Sequence, residues 1–265
     1  MAITTMDAVV SALASGNRLD FYKASLTAKG AGTWHSLLLS AGIPIAGSIP
    51  ALVTGVVCTD TTPGAFTGIT WTNQVYLLQA VVSGATAGKL ILYDRLWHNA
   101  GLVCNVTSLQ AINQADAIPR GPSSGTGVEA WGQFYAAPGA TGTDFTLTYT
   151  GSDGVTSKTA IYTHPANAEK VGQMVPFVCQ AACSGVASVQ SLRLTASTGT
   201  AGNFGIVLLR RVAELPIQLV NAGDCFDFTY LGMPKVYANA CLQFMVMCST
   251  TNTGIIQGSL TFGNG

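Results

Sequence analysis

Charge is the first thing this sequence lacks. Only 9% of its 265 residues are Asp, Glu, Lys or Arg, against about 25% in an average soluble domain. The 12 basic and 12 acidic residues cancel. That balance excludes the positive field with which proteins attract nucleic acid or anionic lipid, and no acidic tail is present. Mean hydropathy is +0.39. Such a chain is short of the groups that keep a monomer in solution. Either it lives in a membrane, or its surface is covered by copies of itself or by partners.

Long apolar runs are missing too, and their absence removes the first option for helices. A spanning helix needs about 20 consecutive apolar residues. Residues 61–88 and 236–265 carry no charge, but Thr, Gly, Asn, Gln and Ser interrupt them. A membrane barrel would alternate along its strands. Its charged turns and closing aromatic residue are not found, so an assembled surface is the better account. The opening Met1-Ala-Ile-Thr-Thr-Met6 has no basic region followed by an apolar core, and no secretory signal is expected. Without secretion the acceptor pattern Asn105-Val-Thr107 carries no meaning.

Metal-binding spacing is absent as well. Seven cysteines occur, at Cys58, Cys104, Cys179, Cys183, Cys225, Cys241 and Cys248, without a Cys-x-x-Cys. Four-ligand zinc spacings are not found. An odd count cannot pair fully within one chain. Two readings stay open: small buried apolar thiols, or inter-subunit disulfides in a particle that leaves a reducing cytoplasm.

What is present is strand grammar. Thr5 can cap a short helix in which Met6, Val9, Val10 and Leu13 recur at helical spacing up to Gly16. Residues 1–48 read as a partly helical arm lying against something else, or as an N-terminal subdomain with its own core. From about residue 49 the period becomes two. Val75 to Val82 and Leu90 to Tyr93 read as strands. Phe145, Leu147 and Tyr149 alternate with threonines, Gly151-Ser-Asp-Gly154 is a hairpin loop, and Val155 to Thr163 returns. Further strands are expected at Met174–Cys179, Ser188–Ala196, Phe204–Val212, Ala240–Cys248 and Leu260–Phe262. ATAGKLILYDRL (85–96) echoes GTAGNFGIVLLRRV (199–212): a turn of small residues, then a strand apolar on both faces. The expected fold is all-β, a jelly-roll-like β-sandwich over 49–265 behind the arm. A division into two β subdomains near residue 118 is the alternative.

Candidate chemistry is sparse. Gly121-Pro-Ser-Ser-Gly125 matches G-x-S-x-G, but the nucleophile elbow lies between a strand and a helix. Here Ser123 stands in a flexible run before the β-like VEAWGQFYA. Gly84-Ala-Thr-Ala-Gly-Lys89 lacks the spacing and the hydroxyl residue of a phosphate loop. Asp224 and Asp227 are a chance pair of acids. His35 and His164 read as surface or loop residues. In KLILYDRLWHNAG (89–101), Asp94 and Arg95 fall on opposite faces as a strand ends, and Trp97 and His98 enter a turn at Asn99-Ala-Gly101. The stretch is expected to be structural. A hydrolase using Ser123 or His98 is the weakest reading.

LYDRLWHNAGL, the Gly-rich IPRGPSSGTGVEAW, the TLTYTGSDGVTSKTA hairpin, VPFVCQAACSGVASVQSLRLT and Leu219-Val-Asn-Ala-Gly-Asp-Cys225 together resemble a group of tailed-bacteriophage virion proteins. These are head or capsid accessory proteins, and the resemblance runs over most of the chain, most strongly from 75 to 265. It implies a capsid decoration or cement protein made in the host cytoplasm and placed on the virion's capsid surface. Its partners would be the major capsid protein and itself, as a homotrimer, with no nucleic acid and no membrane. It implies no catalytic residues, no metal and no cofactor. A tail, neck or baseplate component is the rival within the virion. Seven cysteines are many for that group, which leaves the inter-subunit disulfides open.

Overall fold

The computed structural model describes residues 3–71, 74–114, 116–167, 169–181 and 183–265. The protein is all-β and jelly-roll-like, with sheets layered over hydrophobic cores and a short N-terminal helix. It divides into two compact units. The first comprises 1–48, 59–94 and 212–265; the second comprises 49–58 and 95–211. Residue 118 lies inside the second. Two of the crossings between units fall within strands Gly88–His98 and Asn203–Ile217. These are the strands whose sequences echo each other.

In the first unit, the helix Met6–Ala14 starts where Thr5 accepts a hydrogen bond from Ala8 N at 3.2 Å. It buries Val9 and Ala12 and leaves Met6 and Val10 in solvent. One sheet has the order Gly223–Phe226, Val75–Gly84, Ile256–Asn264, Asn17–Lys23, Gly42–Ile43. Asn17–Lys23 pairs antiparallel with Ile256–Asn264 along its whole length, from Asn17 opposite Phe262 to Lys23 opposite Ile256. The expected arm therefore contributes a sheet strand. A second layer runs through Trp34–Ser36 and Leu242–Cys248 to the start of Gly88–His98. Phe21, Phe66 and Phe244 meet in this unit's core with ring centroids 4.7–6.2 Å apart, the spacing of tilted and edge-on aromatic pairs. The uncharged stretches 61–88 and 236–265 place Leu77, Leu78, Ala80, Leu260 and Phe262 in the interior. Their lack of charge is that of core strands.

In the second unit the clearest sequence signal is realised. Thr143–Gly151 pairs with Lys158–His164, Tyr149 opposite Lys158 and Thr143 opposite His164. Phe145, Leu147 and Tyr149 are buried, while the alternating Asp144, Thr146, Thr148 and Thr150 are half-exposed. Val186–Leu194 and then Gln110–Ala111 extend that sheet. Facing the core from another layer are Asn203–Ile217, Val128–Ala136 and Gln173–Phe177. Phe134, Phe145 and Phe204 form the aromatic centre, 4.8–6.2 Å apart.

One glycine in this unit is required. Gly55 ends the turn that its N–H closes onto Leu52 O, at φ +76°. A Cβ there would stand 2.0 Å from the ring of the fully buried Trp97. Gly55→Ala combines a left-handed backbone with overpacking and is expected to cost about 2–3 kcal/mol. The check is chemical denaturation; an unchanged midpoint would contradict it.

Candidate interaction surface and thiol site

The stretch around Asp94 is sealed. Strand Gly88–His98 runs on through Trp97 and His98, which pair with Val57 and Val56. The expected turn at these two residues is therefore corrected: the short Val56–Val57 strand gives the backbone a partner that local sequence did not advertise. Within the first unit, Asp94 accepts from Cys241 N at 3.0 Å. Within the second, Arg95 donates to Gln133 Oε1 at 3.0 Å and Tyr135 OH at 2.9 Å. Both side chains are buried.

His98 also meets a thiol that sequence reasoning did not place beside it. The ring is hydrogen-bonded to Cys58. Burial, and then the Arg95 charge, hold the imidazole below its usual pKa. Arg120 clamps the surrounding backbone, donating to Cys58 O at 2.7 Å and Arg95 O at 3.1 Å. A thiol beside a neutral imidazole is a nucleophile–base arrangement. Cys58 is fully buried, however, so the pair offers no approach to an outside substrate.

The other two histidines are also interior, against the expectation of surface or loop positions. His35 sits on the three-residue strand Trp34–Ser36, 2.8 Å from Thr33 Oγ1. Burial, reinforced by Lys29, pushes its pKa down to about 4. His164 lies 3.0 Å from Gly139 O and 3.5 Å from Glu169. Glu169 in turn accepts from Tyr162 and Gln173. Burial and Glu169 raise the Tyr162 pKa. Short polar strands such as Thr33-Trp-His-Ser36 look like loops because too few residues show a period.

The remaining motifs resolve into local structure. Ser123 is exposed in a turn followed by strand Val128–Ala136, so the helix that a nucleophile elbow requires is not there. Lys89, at the end of the phosphate-loop-like run, forms a 2.7 Å ion pair with Glu214. Asp227 caps the short helix Phe228–Leu231, accepting from Thr229 N and Tyr230 N, while Asp224 lies in the preceding strand. Among the described residues, no three His, Cys, Asp or Glu side chains converge as metal ligands do.

Two features face outward. The first is apolar. No charged residue occurs from 30 to 59. Within that span Ile43 and Ile45 project from the first unit, and Ile49, Leu52, Val53 and Val56 from the second. Ile45 is 72% exposed and Leu52 57%. Single exposed aliphatics are ordinary; each unit here presents more than one within an uncharged stretch of sequence. The second feature is a recess of about 380 Å³ in the second unit, walled by Val128, Ala130, Trp131, Pro176 and Phe177 and reaching Cys179 and Cys183.

None of the seven cysteines is in a disulfide. Cys58, Cys104, Cys241 and Cys248 are buried, Cys179 and Cys183 half-buried, and Cys225 exposed. Burial pushes Cys104 up to about 12 and Cys248 up to about 11, so neither is a nucleophile at neutral pH.

Neither a protein-family model nor a curated protein matches the chain. Among the solved structures that resemble it are particles and proteins of infectious bursal disease virus. The VP2 subviral particle of infectious bursal disease virus is 9% identical, covers 94% of this chain and 81% of its own, and has a TM-score of 0.21. A mutant VP2 of the same virus, in T=1 particles, is 10% identical, with coverage of 94% and 78% and a TM-score of 0.20. The virus's Gt strain structure gives 10%, 94%, 81% and 0.18. Likenesses this distant do not fix a function.

Proposed function

We propose that the protein is a virion structural protein of the capsid-decoration kind, found on the capsid surface of a tailed phage. It binds the major capsid protein and copies of itself, as a homotrimer, with no enzymatic step. The observation that carries this reading is the exposed aliphatic series of residues 43–56 in a span without charge. Under a partner, each such side chain contributes burial of about 25 cal/mol per Å². The sequence resemblance to head accessory proteins supports the same reading.

The test uses coat shells stripped of the protein. Adding it back is expected to raise their rupture temperature. Ile45→Lys and Leu52→Lys are each expected to weaken shell binding about tenfold or more in co-sedimentation, with thermal unfolding of the isolated chain unchanged. An unaltered rupture temperature, together with an isolated chain that remains a monomer and never joins a shell, would sink the proposal. Few copies per particle in place of many would move it to the tail, neck or baseplate.

A further inference from the structure

We propose that Cys179 and Cys183 form a dithiol that exchanges with low-molecular-weight disulfides and closes to an intramolecular disulfide at the mouth of the Trp131 recess. The local fold brings the two sulfurs together. Strand Gln173–Phe177 ends just before Cys179, and Cys183 N donates to Gln180 O at 3.1 Å. Cys183 and Cys179 interact through their side chains and line one recess. Both are half-buried, so a small reagent reaches them from one side.

The surroundings favour thiolate at Cys183 and oppose it at Cys179. Lys158, paired with Asp153 at 2.5 Å, acts on both sulfurs. Tyr149 OH accepts from Gln180 N at 2.9 Å, which leaves its own proton for Cys179. Ser152 Oγ lies 3.9 Å from Cys183 Sγ, placed to donate to a thiolate, while the protonated thiol donates to Gly185 O at 2.9 Å. The two thiols are driven apart in acidity. Burial, then the neighbouring Cys183, raises Cys179. For Cys183, burial acts upward, but its hydrogen bonds and Lys158 outweigh it and bring the thiol below its ordinary value. The more acidic and more accessible sulfur attacks first.

The exchange balances as follows. Cys183 thiolate attacks one sulfur of a disulfide RSSR, and the leaving thiolate takes up the proton Cys183 gave to solvent. Cys179 thiolate then attacks the Cys183 sulfur of the mixed disulfide, expelling the second RS⁻, which is protonated in turn. The protein dithiol loses two electrons and two protons, and RSSR becomes two RSH. This step is separate from any inter-subunit bond, for which Cys225 offers the exposed thiol.

The experiment incubates the full-length protein with oxidised glutathione and maps its disulfides by mass spectrometry. The expected product carries a Cys179–Cys183 bond within a single chain, with quenched or shifted Trp131 emission. Cys179→Ser is expected to stop at a stable glutathione adduct on Cys183. Cys183→Ser is expected to react about tenfold more slowly or less. A product without the 179–183 bond, a disulfide joining these residues between chains, or equal rates in the two serine variants would overturn the proposal. Intact hairpin folding by circular dichroism in both variants separates lost reactivity from lost structure.

Discussion

Replacing Asn99 with alanine is expected to destabilise the second unit by about 2–4 kcal/mol. Asn99 is fully buried. Its Oδ1 accepts from Ile206 N at 2.6 Å while its own N–H donates to Ile206 O at 3.1 Å. Its Nδ2 donates to Val53 O at 2.7 Å. The side chain therefore finishes a strand ladder on one side and ties the 49–58 segment on the other. Alanine orphans a backbone donor and a backbone acceptor together, each costing about 1–3 kcal/mol when buried. No compensating relief exists, because the group is neutral. For a chain of this size the unfolding midpoint should fall by roughly 5–10 °C. Asn99→Asp sets a buried carboxyl oxygen against Val53 O, so its drop should be at least as large. Equal midpoints for wild type and Asn99→Ala would show that water replaces both bonds.

The second large effect is acid lability. The pKa of His35 is lowered from 6.5 to about 4 in the folded protein. Between those values the unfolded chain holds a proton that the folded chain refuses, so falling pH favours unfolding. The stability is whole above pH 6.5 and is lost progressively down to about pH 4. A shift of this size corresponds to about 3 kcal/mol. His98, also lowered by burial and Arg95, acts in the same direction. Denaturant midpoints measured from pH 7 to pH 4 should therefore slope downward, and His35→Gln should flatten part of that slope. A flat profile in the wild type would mean that His35 takes up its proton as readily in the folded chain as in the unfolded one.

Both effects show what the chain's sequence discloses and what it hides. The Phe145–Tyr149 alternation and its Ser-Asp-Gly loop could be read directly, because each residue's burial depends on neighbours a few positions away. The all-β class followed from many such segments. Asn99 reads as a turn residue, but it continues the pairing with Ile206, and its hydrogen bond to a residue 107 positions later leaves no local trace. Cys58 and His98 lie 40 positions apart in sequence, and nothing near either announces the other. The Val56–Val57 strand that extends pairing to His98 is two residues long, too short for any period. Cys179 and Cys183 were visible as a spacing of four. Lys158 and Tyr149, which set their acidity, reach them only through the hairpin.

The pairing of Asn17–Lys23 with Ile256–Asn264 also orders events on the ribosome. Every residue of the second unit has been made by residue 211, so that unit has all its parts while synthesis is still under way. The first unit's sheet cannot close then, because Ile256–Asn264 is an inner strand between Val75–Gly84 and Asn17–Lys23. The emerging N-terminal segment must wait for a mate translated more than 230 residues later, with its apolar face open to other nascent chains in the interval.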